Sequence, residues 1–381
     1  MSAATAHSMR ADLVATDWPH LDSQEVRAVV QRWGLPEDLV QVGWHSPRPL
    51  SAAAIVELED RKIFVKRHHR SVRAASELQE EHRFIRHLQV RGAPVSGVVP
   101  TVDGSTAVER GDWTYEIHGV GLGVDLYRDA VSWSPFASID HAVAAGRALG
   151  QLHLSSEGFD APARSSALLV SNDQIIRSPE PLKVVDHLTA VRPALRDYLR
   201  GKRWQDELAR AIAPFHDQYL DALPDLQPLW THSDWHASNL LWSDESATAS
   251  VRTVLDFGLS DRTTAVYDLA TAIERNTIPW LDIHDGAAGA ANLALVSGLI
   301  RGYQDARPLA SRERTALMAI LPVVHVGYAI TEIDYFHGTT HSAENADLAY
   351  YGFLLGHCAW FETPQGRALL AHVQRELQEF V

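Results

Sequence analysis

The sequence predicts an α+β chain in two unequal parts, a small antiparallel β-sheet accompanied by one helix and then a larger, mainly α-helical portion. Three observations carry this. Residues 39–44, 52–58 and 62–68 are short runs rich in Val, Ile and Phe, bounded by turn residues, which is the pattern of antiparallel strands. From about residue 139 to the C-terminus apolar residues recur mostly at helical spacing. Embedded in that helical part, residues 239–256 hold an apolar run, a polar turn and a second apolar run, which reads as a hairpin. The expected divisions are a loose tail over 1–20, a sheet part over 21–118 and a helical part over 119–381.

Composition narrows the functional classes. With 46% hydrophobic and 22% charged residues, 381 residues make an ordinary globular chain with room for a sizeable core. A net charge of −14 argues against nucleic acid or an anionic membrane as a partner and suits a neutral or cationic small molecule. The single cysteine, Cys358, excludes an internal disulfide and suits a reducing compartment. No signal-peptide apolar run opens the chain, so a cytoplasmic location is expected. The apolar stretch 316–330 is shorter than a bilayer span and contains Pro322 and His325, so a buried helix pair is expected there.

Taken in order, Asp22 and Glu25 form a capping-box pattern opening a helix to Trp33, which Gly34 and Pro36 stop. Strands follow over 39–44, 52–58 and 62–68, the last two joined by the turn 59–61. Residues 71–90 show Leu78, Phe84, Ile85 and Leu88 at helical spacing, ended by Gly92 and Pro94. Pieces at 102–103, 107–109 and 113–118 complete the sheet before a glycine-rich linker at 119–123. Helices are expected over 139–153, 193–199, 204–223, 268–276, 292–303, 312–321, 323–335, 348–361 and 366–381, with 154–181 irregular.

The chemistry concentrates in 231–258, THSDWHASNLLWSDESATASVRTVLDFG. His232, Asp234 and Asn239 followed by Asp256-Phe257-Gly258 reproduce the H-x-D-x-x-x-x-N loop and D-F-G of kinase-type phosphoryl transfer. Asp234 can accept the proton of an attacking hydroxyl. Asn239 offers an amide oxygen and Asp256 a carboxylate to Mg²⁺ bridging the ATP phosphates, and His232 would brace the loop. Lys66, at the end of Ile63-Phe64-Val65, resembles the strand lysine that kinases set on the phosphates. The following helix offers Glu77, Glu80 or Glu81 as its partner. Glu81 is the choice, because Phe84, Ile85 and Leu88 follow at three, four and seven residues and set it beside an apolar face expected to look towards the sheet.

The loop 43–51, GWHSPRPLS, lacks a GxGxxG pattern, and its two prolines remove backbone donors, so phosphate contact falls to Ser46, Arg48 or Ser51. An adenine ring needs one backbone donor and one acceptor, placed by position at Glu116, Ile117 and His118. After Asp256 the chain reaches Tyr267-Asp268-Leu269-Ala270 within a few turns, leaving no room for a protein-docking activation segment, so a small acceptor is expected. Glu274, Asp282, Asp285, Glu332, Asp334 and Tyr335 follow as candidate contacts to an amine-bearing acceptor. Zinc held by His232, Asp234 and His236 is the rival reading, but it leaves Asn239 and Asp256 without a role. A nucleotide-binding sensor without catalysis is the other alternative, set against a complete set of base, lysine and metal ligands.

HSDWHASNLLW, LDFG and YDLA resemble the aminoglycoside phosphotransferase and choline kinase superfamily, whose loop commonly reads H-G-D-x-H-x-x-N. The order of strand lysine, helix glutamate, linker, loop and metal aspartate is similar over roughly residues 35–360. GYQDARPLASRE, residues 302–313, is similar to the homoserine-kinase-like branch. The resemblance implies a two-lobed protein-kinase-like fold, with 21–118 the nucleotide lobe and 119–381 carrying the acceptor site. It also implies roles for Lys66, Glu81, Asp234, Asn239 and Asp256, with Asp268 bracing the loop. Ser233 stands where the family carries glycine, which a turn tolerates if the backbone there stays in an ordinary region. The expected activity is γ-phosphoryl transfer from ATP, or GTP, with Mg²⁺, to a hydroxyl of an amino alcohol, sugar or aminoglycoside-like compound.

Overall fold

Antiparallel pairing organises the first third of the chain. The computed structural model describes residues 5–7, 13–36, 40–59, 61–287 and 289–378. Leu39 of the first expected strand, Asp60 of the turn 59–61 and residues 379–381 of the last expected helix lie outside these, as do 1–4 and 8–12 of the expected tail. The rest of that tail has structure: β1 (Thr5–His7) pairs with β2 (Leu13–Ala15), and the Trp18 ring stacks on His69 and donates from Nε1 to the Tyr335 hydroxyl at 3.2 Å.

Asp22 caps α1 (Ser23–Val30) by accepting from the Glu25 N–H at 2.8 Å. The reciprocal half of the expected capping box is not made. The Glu25 carboxylate turns instead to Arg67 at 2.7 Å and to the Tyr115 hydroxyl at 2.6 Å, tying the helix to the sheet. A single 3₁₀ turn continues to Trp33, and Gly34 ends it at φ 65°.

The sheet comprises β3 (Gln41–His45), β4 (Ala52–Glu57), β5 (Lys62–His69), β6 (Ala107–Arg110) and β7 (Trp113–Gly119), in the order β3-β4-β5-β7-β6. Residues 102–103 form a turn instead of the expected strand. The two-residue period of β5 divides its side chains. Ile63 and Val65 join Val26, Val29, Val30, Val56 and Ile117 in a compact core between α1 and the sheet, while Phe64 and Lys66 line a cleft on the other face.

Helix α2 (Ala75–Val90) belongs to a different core. Phe84, Ile85 and Leu88 are at most 1% exposed and pack with Trp230 and Phe257 of the helical part, not with the sheet core as expected. Full burial of one such side chain is worth about 1.5–3 kcal/mol, so the stripe fixes the face the helix turns to its neighbours. That rotation decides where Glu81 points.

Helices α3 (Ile139–Ser156), α4 (Pro181–Val191), α5 (Pro193–Leu199) and α6 (Trp204–Ala222) lead to β8 (Pro228–Thr231). The hairpin of β9 (Leu240–Trp242) and β10 (Val251–Val254) follows, and β11 (Asp261–Thr264) returns to pair with β8. The β8–β11 pair and α4 were not expected. Helix α7 (Ala265–Thr277) starts with Thr264 as its cap, so Asp268 lies in its first turn instead of opening it. Then come α8 (Trp280–His284), α9 (Leu293–Ala306), α10 (Ser311–Ile320), α11 (Val326–Gly338), α12 (Ala343–Asp347), a π-helical stretch Leu348–Gly356, α13 (His357–Phe361) and α14 (Pro364–Gln378). The run Ser311–Gly338 is long and apolar enough by composition to cross a membrane, but 94% of its most apolar window is buried inside the protein, where it forms core.

Two helices touch backbone to backbone. A Cβ on Gly146 of α3 would lie 2.1 Å from the Leu299 carbonyl oxygen, and one on Gly302 of α9 would lie 2.0 Å from that of Val143. Only glycine fits at these crossings.

Candidate active site

Asp234 stands at the centre of the site. Its Oδ1 is paired with the Arg275 guanidinium, and its Oδ2 accepts from Asn239 Nδ2 at 3.0 Å. The same Asn239 nitrogen donates to the Asp234 carbonyl at 3.0 Å. With its amide nitrogen engaged twice, Asn239 has its amide oxygen left for a cation. Arg275 is 1% exposed, and its charge is flanked by the rings of Tyr328 and Trp133 at 5.2 and 5.5 Å. Burial lowers its pKa to about 10, which leaves it cationic at neutral pH.

The loop beneath Asp234 is held from below. Asp268 accepts from the backbone N–H groups of His232 and Ser233 at 2.8 and 2.9 Å. Its Oδ2 also lies 3.1 Å from His153 Nε2, whose Nδ1 is bonded to the Tyr303 hydroxyl at 2.8 Å. Thus α3, α7 and α9 meet under one loop. His232 Nε2 lies 2.8 Å from the Leu255 carbonyl, locking the loop to the hairpin end, and its Nδ1 accepts from the Asp234 N–H at 3.2 Å; with both nitrogens engaged, His232 does not join Asp234 and His236 as a zinc site, although those two approach to 3.5 Å. Burial keeps His232 and His236 neutral, His236 with a pKa lowered to about 3.

Ser233 does not keep ordinary backbone angles. Its φ is 60°, the left-handed region for which the family's glycine is suited, and its hydroxyl is bonded to that of Thr231 at 2.9 Å. Asp256 is also left-handed, at φ 53°.

Across the cleft, Lys66 Nζ donates to Asp256 Oδ1 at 2.9 Å, and Oδ1 also accepts from the Gly258 N–H at 3.2 Å. Burial alone would raise the Asp256 carboxyl; the Lys66 charge and hydrogen bond outweigh it and hold the carboxyl well below the usual range. The Asp256 side chain is 41% exposed, so solvent screens this pair. Both contacts fall on Oδ1, leaving Oδ2 for a cation.

Glu81 is not the partner of Lys66. Its carboxylate is 3.2 Å from Arg164 Nη1, both side chains being almost fully buried, because the apolar stripe of α2 faces the helical part. Arg164 also donates to the Gly258 carbonyl at 2.9 Å, so the pair supports the residue after Phe257.

The expected adenine contacts also differ. Sheet pairing engages the backbone at 116–118: the Ile117 carbonyl accepts from Val99 N–H at 2.8 Å, His118 bridges to Val98, and Ile117 is fully buried. Glu116 turns its carboxylate to His68, His82 and His118, with Nε2 atoms at 2.9, 2.6 and 2.9 Å. Glu116 and His118 do line the cleft, together with Gly119, at which the strand ends, and Val120, Gly121 and Gly123. A Cβ on Gly121 would strike Leu241 at 2.7 Å.

Two cavities meet at these groups. One, of about 260 Å³, runs between Ile55, Phe64, Lys66, Gly119–Gly121 and Leu241. The other, of about 150 Å³, is lined by Ser51, Val72, Arg73, Trp133, Asp234, His236, Leu281 and Tyr328. Arg48, Lys66, Asn239 and Asp256 line both. Ser46 lies on the first and Ser51 on the second. Arg48 also donates to the Ala130 carbonyl and the Ser132 hydroxyl, both at 3.1 Å.

Of the residues expected to meet an acceptor, Glu274, Asp282, Asp285, Glu332, Asp334 and Tyr335, none lines either cavity. Asp282 and Asp285 are exposed, Asp334 accepts from the Leu195 N–H, and Tyr335 accepts from Trp18. Glu274 and Glu332 lie in the interior.

Comparison with known proteins gives the same direction. A profile of the family described as "Phosphotransferase enzyme family" matches residues 51–309, well over half of the chain. The homoserine kinase of Phenylobacterium zucineum (strain HLK1) is 24% identical over 208 residues, 54% of this chain and 55% of that protein. The chain thus spans about half the length of the curated relative it matches. An aminoglycoside phosphotransferase from Alicyclobacillus acidocaldarius superposes with a TM-score of 0.55 at 18% identity, over 95% of this chain and 98% of that one. An amicoumacin kinase solved with AMP-PNP, Ca²⁺ and Ami superposes with a TM-score of 0.55 at 13% identity, over 94% of each chain. These likenesses establish a shared α+β fold.

Proposed function

The chain belongs to the phosphotransferase enzyme family, and from that premise we propose that it moves the γ-phosphoryl group of ATP to a hydroxyl of a small molecule. The supporting observation is the meeting of two cavities at Lys66, Asn239 and Asp256, with Asp234 on one side only. On this reading residues 21–118 form the nucleotide lobe and 119–381 the acceptor lobe. The larger cavity receives the nucleotide, its base beside Gly119–Gly121, and the smaller receives the acceptor. Asp234 orients the acceptor hydroxyl and takes its proton as the oxygen bonds the γ-phosphorus and the bond to the β-phosphate oxygen breaks, leaving ADP. Arg275 and Asn239 keep the carboxylate in one rotamer. Lys66 carries charge compensation to the phosphates.

The donor set fits Mg²⁺: the Asn239 amide oxygen and the Asp256 carboxylate are hard oxygen ligands side by side on the shared wall. When bound there, Mg²⁺ neutralises phosphate charge.

The smaller cavity also supports a class of acceptor. In its ionised lining Lys66 and Asp256 pair with each other and Asp234 with Arg275, so among the described residues no unpaired carboxylate faces the cavity, while Arg48 and Arg73 add positive charge. That charge balance favours a neutral or carboxylate-bearing hydroxy compound, such as a hydroxy amino acid, over a polycationic aminoglycoside, and the likeness to a homoserine kinase points the same way.

Full-length protein incubated with Mg²⁺ and ATP or GTP against hydroxy amino acids, hydroxy acids, sugars and aminoglycosides, with mass detection of product, tests this. A phosphorylated hydroxy amino acid or hydroxy acid is expected. Asp234→Asn should lower kcat by about 10²- to 10⁴-fold while nucleotide affinity is kept. Unchanged turnover in that variant would remove the base assignment, and turnover of aminoglycosides alone would overturn the acceptor class.

A further inference from the structure

Behind the acceptor cavity lies a second cluster with ligand chemistry of its own. Glu274 of α7, His325 just before α11 and His357 at the start of α13 are 1%, 5% and 1% exposed. His325 Nδ1 and His357 Nδ1 lie 3.4 and 2.7 Å from Glu274 Oε1, and one ligating atom from each residue falls within 4.8 Å of the others. These contacts are close but misaligned for hydrogen bonding. Glu274 Oε1, His357 Nδ1, His325 Nε2 and both oxygens of the fully buried Glu332 have no hydrogen-bond partner among the described residues. A buried polar group without a well-aligned hydrogen bond costs about 1–3 kcal/mol; the charge contacts among Glu274, His325, His357 and Glu332 offset part of that for these five atoms, and an ion bound among them would offset more.

The contrast with Glu116 is instructive, because there three imidazoles make good hydrogen bonds to one carboxylate and the cluster is complete in itself.

We propose that Glu274, His325 and His357 bind a divalent transition-metal ion of the zinc class. Two imidazole nitrogens and one carboxylate oxygen suit zinc better than the all-oxygen preference of magnesium or calcium. A tetrahedral ion with bonds of about 2.0–2.1 Å sets its ligand atoms roughly 3.3 Å apart. The Glu274–His325 spacing already matches this, and His357 needs only a small retreat. The outer contacts fit as well. Each ligating imidazole needs its other nitrogen oriented by a neighbour; Glu332 Oε2 is 3.6 Å from His325 Nε2, and His284 Nε2 is 3.2 Å from His357 Nε2. Trp280 stacks flat on His357 at 3.6 Å, fixing its plane. The ion ties α7, the segment leading into α11 and α13 together. Three protein ligands leave the fourth tetrahedral position to a water; the site is distinct from the magnesium site and independent of the acceptor's identity.

The test is metal analysis of full-length protein produced with zinc present and freed of loosely held metal by desalting. About one equivalent of zinc is expected, and cobalt substitution should give the visible absorption bands of a four-coordinate ion. Glu274→Gln, nearly isosteric, and His357→Ala should each lose the metal, whereas Glu116→Gln, in the other histidine cluster, should keep it. Stripping the wild-type protein with a strong chelator should lower its Tm by several degrees, restored by zinc but not by magnesium. Absence of metal from the wild-type protein together with no Tm response to added zinc overturns the proposal. So does metal that survives Glu274→Gln and is lost in Glu116→Gln.

Discussion

The two walls of the cleft are built to different standards of constraint. On the helical side, the loop 232–239 is bonded from beneath by Asp268, from the side by Arg275 and along its own length by Asn239, almost all within the interior. On the sheet side, Lys66 reaches across to Asp256 through one partly solvated pair, while Glu81 serves Arg164. The geometry of Asp234 is therefore fixed by the fold, whereas Lys66 is held by a partner that, on the proposed function, a nucleotide and its metal would compete for. The difference separates what the chain orders by itself from what its ligands must order.

The largest break in this contrast comes from Arg275. Replacing it as Arg275→Met keeps much of the volume but leaves Asp234 with Asn239 and the more distant His236, at 3.5 Å. Steady-state kinetics should show kcat down by about 10²-fold or more with nucleotide affinity nearly unchanged; equal kcat would mean that the helical wall does not depend on this pair. Next is Gly302→Ala, which separates α3 from α9 and so disturbs His153 and Tyr303 under Asp268. Denaturant unfolding should register a loss of about 1–3 kcal/mol, the range for overpacking a tight core, and a loss below about 0.5 kcal/mol would show that the crossing can yield.

Glu81→Gln sharpens the comparison from the sheet side. It should cost about 1–2 kcal/mol of stability through the Arg164 pair, yet change the KM for ATP by less than about threefold, since Lys66 is served by Asp256. A tenfold rise in KM would show that Glu81 takes over Lys66 in the working enzyme. The smallest effect is expected at Ser233→Gly. Relief of the left-handed backbone, about 1–2 kcal/mol, is set against the lost hydroxyl bond to Thr231, about 1 kcal/mol. Thermal unfolding should shift by no more than about 1 kcal/mol either way, and a large destabilisation would make the hydroxyl the more important part.

What the sequence made readable follows from distance along the chain. Asp234, Asn239 and Asp256 sit on one loop and one hairpin, so their spacing alone brings them together. Lys66 stands out because it follows Ile63-Phe64-Val65 and resembles a kinase strand lysine; the two-residue period of the strand then carries it to the cleft face with Phe64. Arg275 was missed although a signal existed: it follows Asp268 by seven residues, two turns along the same helix, and so shares the face that looks at the loop. Glu274, one residue earlier, was named as an acceptor contact. Adjacent residues on a helix point about 100° apart, and that rotation carries Glu274 to the buried histidines. The error at Glu81 arose because helical spacing reveals an apolar stripe without saying which neighbour it meets. Arg164 lies in an irregular stretch where no periodicity marks a side chain's direction. At 116–118 position alone led to the cavity, which Glu116 and His118 line, but it could not show that sheet pairing and the bridge to Val98 engage the main chain there.

Two chambers that touch only across Arg48, Lys66, Asn239 and Asp256 can be altered one at a time. Substitutions at Val72, Leu281 or Tyr328 reshape the smaller chamber without reaching Phe64 or Gly121 in the larger. If the two chambers hold acceptor and phosphate donor as proposed, the compound accepted can drift over generations while the way the donor is read stays as it was.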